Sequence, residues 1–223
     1  GTDLTYHFLI VAGAALLAVA WTSRNLVHDK PDPAHHTDGP LFRLPNRSIV
    51  SIGIITFCCM LGEGAMSDWS VNYMENVALA SKALAPIGLS AFATAMTVGR
   101  IFGDRARNHL GDQKMIILGG LMSLLGLSVA LAFPEPYISI TGFFVVGLGL
   151  SSIVPIAYSI AGNTKELPSG VGLAMVTTVG YSGFLFGPPI IGFIADWQSL
   201  RTALLLVVLL FTTMTLLGFR YKS

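Results

Sequence analysis

Two carboxylates, Glu63 and Asp68, interrupt the otherwise apolar stretch from residue 48 to residue 76. An ionisable side chain inside a membrane-spanning helix is costly, so it indicates a functional group. At about 1.5 Å per residue, Glu63 lies roughly 22 Å from Ser48, beyond the midplane of a bilayer, and Asp68 lies near the outer interface. Glu63 is therefore predicted to bind a solute hydroxyl or to carry a proton, the alternative being a structural pair with a neighbouring helix.

Polar and aromatic side chains fall on three faces of this stretch. They are Glu63, Ser67 and Ser70 on one face, Asp68 and Asn72 on a second, and Trp69 and Tyr73 on a third. A helix with polar groups on several faces lines a cavity or is broken, and Gly62 and Gly64 would permit a break. The two aromatic rings could stack on a sugar ring or anchor the helix at the membrane interface.

Two later apolar stretches carry weaker candidates for contact with a solute. They are Ser152 and Tyr158, which flank Pro155, and then Thr177, Thr178 and Tyr181. A proline within a helix frees a carbonyl, which a membrane protein tolerates beside a cavity or a neighbouring helix. Pro155 is therefore a predicted hinge, although the hydroxyls could equally join helices. A second predicted hinge consists of Gly187, Pro188 and Pro189.

The composition indicates an integral membrane protein. Of the 223 residues, 53% are hydrophobic and 11% are charged, whereas about 25% are charged in soluble domains. A spanning helix needs about 20 mainly apolar residues. Seven segments qualify, at residues 4–22, 48–76, 84–102, 115–133, 136–161, 170–195 and 200–219. The predicted fold is therefore all-α and polytopic, and the net charge of +1 gives no reason to expect nucleic acid as a partner.

The basic residues give the orientation. Eleven of the thirteen Lys and Arg residues lie on one side, four of them in the charged connection 99–114, and the other side has only Lys82 and Arg201. Loops rich in Lys and Arg face the cytoplasm, so the C-terminus is predicted to be cytoplasmic. A retinal-binding protein is disfavoured, because the last helix has no internal lysine.

The remaining segments contain no pattern typical of an enzyme. Residues 23–47 are polar and predict a flexible linker, since His35 and His36 match no metal-ligand spacing. Cys58 and Cys59 are adjacent in an apolar run and are interpreted as packing residues. There is no P-loop and no nucleophile motif, so no catalytic activity, metal or cofactor is predicted.

The connection 99–114 resembles the characteristic loop of the major facilitator superfamily, in the form found in the C-terminal half. The matching residues are Gly99, Arg100, Gly103, Asp104, Arg105, Gly111 and Lys114, and Asp112 and Gln113 stand where family members have a basic run. Segments 62–74, 147–163 and 176–196 resemble the seventh, tenth and eleventh helices of bacterial facilitator permeases, especially a sugar-permease-like group with fucose-permease relatives. The resemblance covers essentially the whole chain.

This resemblance implies that residues 1–22 are the last helix of an N-terminal half, 23–47 the central cytoplasmic loop and 48–223 a C-terminal domain of two inverted three-helix repeats. Helices 1–5 of the other half would then be a partner absent from this chain. The implied function is proton-coupled transport of a small, sugar-like solute across the bacterial inner membrane by alternating access. A half-length homodimer or a transporter-derived solute sensor is the alternative.

The resemblance also implies a gate at the cytoplasmic face. Asp104 would lie near a helix N-terminus, where the dipole favours an anion, and pair with neighbouring arginines such as Arg100 or Arg105. Gly99 and Gly103 would supply the close packing that such a contact needs. Breaking these contacts would open that end of the transporter.

Overall fold

The computed structural model describes residues 4–24, 47–164, 167 and 169–221. These residues form α-helices and no strands. The helices are α1 (Leu4–Ser23), α2 (Arg47–Asn76), α3 (Ala85–Leu110), α4 (Asp112–Ala132), α5 (Pro136–Leu150), α6 (Ile153–Gly162), α7 (Ser169–Trp197) and α8 (Leu200–Arg220). Six spans are long and apolar enough to cross a membrane, with α5 and α6 forming one of them, and α1 contributes a shorter apolar stretch, Phe8–Ser23. The predicted all-α, polytopic class is confirmed.

The chain divides into two units, Gly1–Arg43 and Leu44–Ser223. In the first unit α1 is a helix whose side chains are almost all exposed. Most of the predicted linker, including His35 and His36, lies outside the described residues. Its assignment as a central loop therefore stays a prediction.

The second unit is built around α2. This helix packs against α3, α5, α6, α7 and α8, and Ile52, Ile55 and Met66 on it are fully buried. Phe143 of α5 and Phe211 of α8 join the same core. The helix forms because a backbone in lipid must satisfy its own hydrogen bonds, and it is central because its apolar side chains cover several faces. Glu63 is the partly buried carboxylate of this helix.

Glycines bring α4 and α5 into close contact. A Cβ on Gly126 would lie 2.6 Å from the carbonyl oxygen of Gly142, and one on Gly142 would lie 2.5 Å from that of Gly126. Only residues without a side chain permit two backbones to approach so closely. The middle of α5 is thereby held against α4, which helps to position the segment that follows α5.

The charged connection 99–114 is almost entirely helical, contrary to the prediction. Helix α3 continues to Leu110 and α4 begins at Asp112, so only Gly111 separates them. Gly111 has a φ of 78°, which side-chain-bearing residues rarely adopt. Basic side chains in the last turn of α3, Arg107 and His109, suit the negative end of the helix dipole. Apart from Arg100, the charges of this connection therefore lie within about two turns of a helix end and not in a loop.

Candidate functional site

An ion pair joins the middle of α2 to α3. The Nη2 atom of Arg100 lies 3.5 Å from Oε1 of Glu63, and the two side chains are 54% and 24% exposed. Glu63 lies about 20 Å before the end of α2, and Arg100 lies about 15 Å before the end of α3. Arg100 thus belongs to the interior of a helix and not to a connecting loop, and each charge offsets the cost of placing the other there.

The glycines beside Glu63 pack helices together and do not break α2. A Cβ on Gly62 would overlap the Phe211 ring of α8, whereas one on Gly64 would make an ordinary contact of 3.5 Å with Cγ of Pro188 in α7. Helix α2 is continuous over its whole length. The break, one of the two predicted alternatives, is therefore not found, and Gly62 serves the close packing of α2 against α8.

A helix break occurs instead between α5 and α6, inside the predicted span 136–161. Pro155 has no N–H, so the carbonyl of Ser151 loses the donor that a helix supplies four residues later. Ser151 and Ser152 separate the two helices. A Cβ on Gly99 would clash with the hydroxyl of Ser151, and a Cβ on Gly103 would clash with that of Ser152. These two glycines of the motif therefore allow the interruption to pack closely against α3.

A small cavity of about 50 Å³ lies between α3 and the interruption, which is room for a water molecule. It is lined by Arg100, Gly103, Asp104, Arg107, Ser151, Ser152, Pro155 and Ile156. Asp104 thus faces the first turn of α6, whose N-terminal end favours an anion. Among the described residues, Asp104 forms no ion pair and both it and Arg105 are exposed. The predicted pairing of Asp104 with an arginine is not found.

A second ion pair closes the turn between α3 and α4. The guanidinium of Arg107 binds Asp112 through two hydrogen bonds, Nε to Oδ1 and Nη2 to Oδ2, the latter at 3.1 Å. Its Nη2 also donates to the Ser159 hydroxyl of α6 at 3.0 Å. The sequence analysis did not select Arg107, Asp112 or Ser159 as site residues. Together they link the turn between α3 and α4 to α6.

The turn is also attached to the end of α8. The side-chain amide of Gln113 donates to the carbonyls of Gly218 and Phe219 at 3.3 and 3.4 Å. Tyr221 follows the last residue of α8. Burial of its phenol, together with the Asp112 carboxylate, raises the pKa of that phenol. Asp112 and Gln113, which depart from the family's basic run, therefore make specific contacts at this end of the unit.

Three other predicted residues form a group that reaches Glu63 through Tyr158. Tyr158 of α6 is half-buried, and its hydroxyl interacts with the sulfur of Met60 at 3.9 Å. The same hydroxyl interacts with Thr177 of α7 and lies within electrostatic reach of Glu63 and Tyr181. The structure therefore brings one side chain from α2, one from α6 and two from α7 to one region. Such a set offers hydroxyl and carboxylate groups to a polar solute.

Comparison with known families agrees with this arrangement of helices. A model of the Major Facilitator Superfamily matches residues 52–223. The chain belongs to this superfamily. An uncharacterised facilitator-type transporter of Yersinia pestis is 40% identical over 191 residues, which are 86% of this chain and 49% of that protein. The glucose/mannose transporter GlcP of Bacillus subtilis is 22% identical over 95% of this chain and 53% of its own.

Solved structures show the same fold at low sequence identity. A facilitator crystal structure, FucP in the outward conformation, matches with a TM-score of 0.78 and 17% identity over 96% of this chain and 54% of its own. A structure of the E. coli fucose:proton symporter FucP matches with a TM-score of 0.71 and 17% identity, over 80% and 44% of the two chains. The chain thus spans about half the length of the facilitators that it matches.

Two predicted aromatic contacts are structural in this facilitator chain. Tyr73 is fully buried, its hydroxyl donates to the carbonyl of Ala130 at 2.7 Å, and its ring meets the edge of Phe143 at a centroid distance of 5.7 Å. The indole N–H of Trp69 donates to the carbonyl of Pro188 at 3.2 Å. Stacking of Tyr73 on a sugar is therefore contradicted, since neither face of its ring is open, and Trp69 holds α2 against α7.

The remaining predicted residues lie apart from the ion pair or leave their helix unbroken. Asp68 and Asn72 are exposed further along α2, where the Asn72 side chain accepts a hydrogen bond from Asn76 at 3.3 Å. The predicted hinge residues of α7 are Gly187, Pro188 and Pro189, and this helix continues through them. A hinge role for this triplet stays a prediction.

Proposed function

We propose that the chain is the C-terminal part of a secondary transporter that moves a small polar solute by alternating access. Membership of the superfamily supports this, and the single observation that carries it is the Glu63–Arg100 ion pair in the middle of two apolar helices. Charged residues at such a depth are costly to maintain without a task in transport. The solute would lie beside Glu63, Tyr158, Thr177 and Tyr181.

We further propose that transport is coupled to protons and that Glu63 carries the proton. Glu63 is partly exposed and has one arginine beside it. Such a carboxyl group can be ionised and paired with the arginine, or protonated and no longer paired with it. The name of FucP as a fucose:proton symporter and that of GlcP as a glucose/mannose transporter support a proton and a sugar-like solute by analogy.

The partner in this proposal is an N-terminal half of the same transporter, supplied by a preceding segment. Helix α7 exposes Tyr181, Leu185, Phe186, Phe193 and Trp197, an apolar face that this half and the lipid would cover. The proposed location is the bacterial inner membrane with a cytoplasmic C-terminus. Arg100, Arg105 and Arg107 lie within α3 and not in a loop, but all three lie toward the end of α3 that carries the charged connection. The eleven-to-two distribution of basic residues and the predicted orientation are therefore unchanged.

The test is uptake of labelled sugars and other small polar solutes by the full-length protein in vesicles with an imposed pH gradient. We expect Glu63→Gln to abolish gradient-driven uptake while solute counterflow continues, because counterflow needs no net proton movement. Glu75→Gln is the matched control, since it removes an exposed carboxylate from the end of the same helix. Gradient-driven uptake that survives in Glu63→Gln would reduce Glu63 to a structural partner of Arg100.

A further inference from the structure

Arg100 has one carboxylate partner and a second carboxylate one helical turn away on its own helix. Glu63 on α2 is its partner in the structure, at 3.5 Å. Asp104 follows it by four residues on α3, so the two side chains lie on the same face of that helix. Arg100 and Asp104 also line the same cavity beside the α5–α6 interruption. Arg100 thus lies between Glu63, inside the membrane-spanning region, and Asp104, which belongs to the predicted gate.

The charged side chains around this cavity are already partly paired. Arg100, Arg107 and Asp104 line it, and Glu63 and Asp112 bind the two guanidiniums from outside its lining. Arg107 forms two hydrogen bonds with Asp112 and acts on Asp104 only at a longer distance. Arg100 is therefore the guanidinium that loss of the charge on Glu63 would release, and Asp104, which is exposed and has no ion pair among the described residues, is the carboxylate one helical turn away from it.

We propose that Arg100 is a positioning residue that transmits the protonation state of Glu63 to Asp104. While Glu63 is ionised, it holds Arg100 toward α2. When a proton from water binds a carboxylate oxygen of Glu63, the pair is lost and Arg100 turns to Asp104, across the cavity beside α6. In the new state Arg100 and Asp104 are paired and Glu63 is neutral, and loss of the proton reverses the exchange. The inference rests on the proposed proton-coupled function and adds the path from the proton site to the gate.

The exchange requires movement of one side chain only. Gly99 and Gly103 hold the backbone on both sides of Arg100 against Ser151 and Ser152, so α3 itself stays in place. A long side chain readily turns from a neighbouring helix to the residue four positions along its own. Its movement breaks an ion pair between α2 and α3 and makes one beside the helix interruption, which is the change that a gate needs.

The other groups around Glu63 do not supply a competing cation. The titratable side chains that act on it are Cys59 of α2 and Tyr158 of α6, and Tyr181 of α7 acts on Tyr158. On the helices packed against α2, the other described titratable groups lie toward the helix ends. They are Tyr137 in α5, Asp196 in α7, Arg201 and Arg220 in α8, and Asp104, Arg105, Arg107 and His109 in α3. Arg100 is therefore the cation that decides the state of Glu63.

The test measures protonation without needing a known solute. The full-length protein in lipid nanodiscs is titrated with acid, and infrared difference spectra follow the protonated carboxyl band, which Glu63→Gln identifies by its loss. We expect Arg100→Gln to raise the midpoint pH of this band by about one unit or more, because the ionised form loses its partner. Asp104→Asn is expected to lower the midpoint by up to about one unit, because Arg100 then has no second acceptor.

A direct electrostatic effect of Asp104 on Glu63 would also lower the midpoint, so the decisive measurement is Asp104→Asn in the Arg100→Gln background. If Arg100 transmits the effect, this shift becomes no larger than that of the control Glu75→Gln, and Asp104→Glu in the wild-type background restores the original midpoint. An equal shift with and without Arg100, or none in the wild-type background, would overturn the proposal. Uptake assays report separately on the proposed function, since the titration can show the exchange in a protein that carries none of the tested sugars.

Discussion

The two motif glycines of α3 should respond differently to substitution by alanine. At Gly99 the new Cβ would meet both the hydroxyl and the Cβ of Ser151, the latter at 2.6 Å. At Gly103 it would meet the hydroxyl of Ser152, whose Cβ is 3.5 Å away, an ordinary contact distance. The first clash involves an atom fixed to the backbone, and the second involves an atom that rotation about one bond removes.

The magnitudes follow from this difference. Replacing glycine by alanine inside a helix stabilises it by about 1 kcal/mol, and forcing an extra carbon into a packed contact costs about 1–3 kcal/mol. Gly99→Ala should therefore destabilise the unit by up to about 2 kcal/mol. Rotation of the Ser152 hydroxyl gives up only its long contact of 3.5 Å with Ser151, so Gly103→Ala should be neutral or stabilising by up to about 1 kcal/mol.

The assay is thermal unfolding of both variants in the same detergent, with gradient-driven uptake measured in parallel. Gly99→Ala should unfold at a lower temperature than the wild type and transport less, because α3 must move away from the α5–α6 interruption. Gly103→Ala should unfold at or above the wild-type temperature. The reasoning is refuted if Gly99→Ala is as stable as the wild type, or if Gly103→Ala is the less stable of the two.

Three further substitutions test the contacts around the site. Trp69→Phe keeps the aromatic packing but removes the hydrogen bond to the carbonyl of Pro188, so the unit should lose about 1 kcal/mol of stability in denaturation while solute affinity stays unchanged. Tyr73→Phe leaves a buried carbonyl without its donor and should cost about 1–3 kcal/mol, again with no change in apparent solute affinity. Asp112→Asn weakens the pair of hydrogen bonds with Arg107. It should lower the stability of the unit by at most about 1 kcal/mol, because both groups are partly exposed. It should also increase the alkylation rate of a cysteine introduced in the turn, because the turn is held less firmly.

Much of the helix arrangement could be predicted from the sequence. The segments 48–76 and 200–219 agree with α2 and α8 to within a residue at each end, because the length of an apolar run determines a spanning helix. The largest error is at α3, predicted to end at residue 102 and observed to end at Leu110. Hydropathy assigns charged residues to loops, whereas a helix continues into water wherever its own backbone bonds and its dipole favour it.

The site could be predicted only in part. Glu63 was selected from the cost of an ionised group in an apolar helix, a property of its own neighbourhood. Its partner Arg100 was assigned to a loop, because no spacing rule relates residues on separate helices. Likewise, Gly62 and Pro155 were both candidate break points, and only packing decides between them. The space beside Gly62 is filled by the ring of Phe211 from α8, while Pro155 lacks the N–H that would bond to the carbonyl of Ser151.

The departure from the family's pattern at Asp112 and Gln113 has a physical consequence. A basic run at these positions would leave Arg107 beside further positive charge, and the turn would be held only by Gly111. With a carboxylate there, Arg107 is fixed to its own turn and, through Ser159, to α6. Arg107 still acts on Asp104 electrostatically, but its hydrogen bonds go to Asp112 and Ser159. Arg100, by contrast, has only its ion pair of 3.5 Å with Glu63 to give up before it can bind Asp104. The carboxylate that departs from the family's pattern therefore favours Arg100 over Arg107 as the guanidinium that exchanges partners.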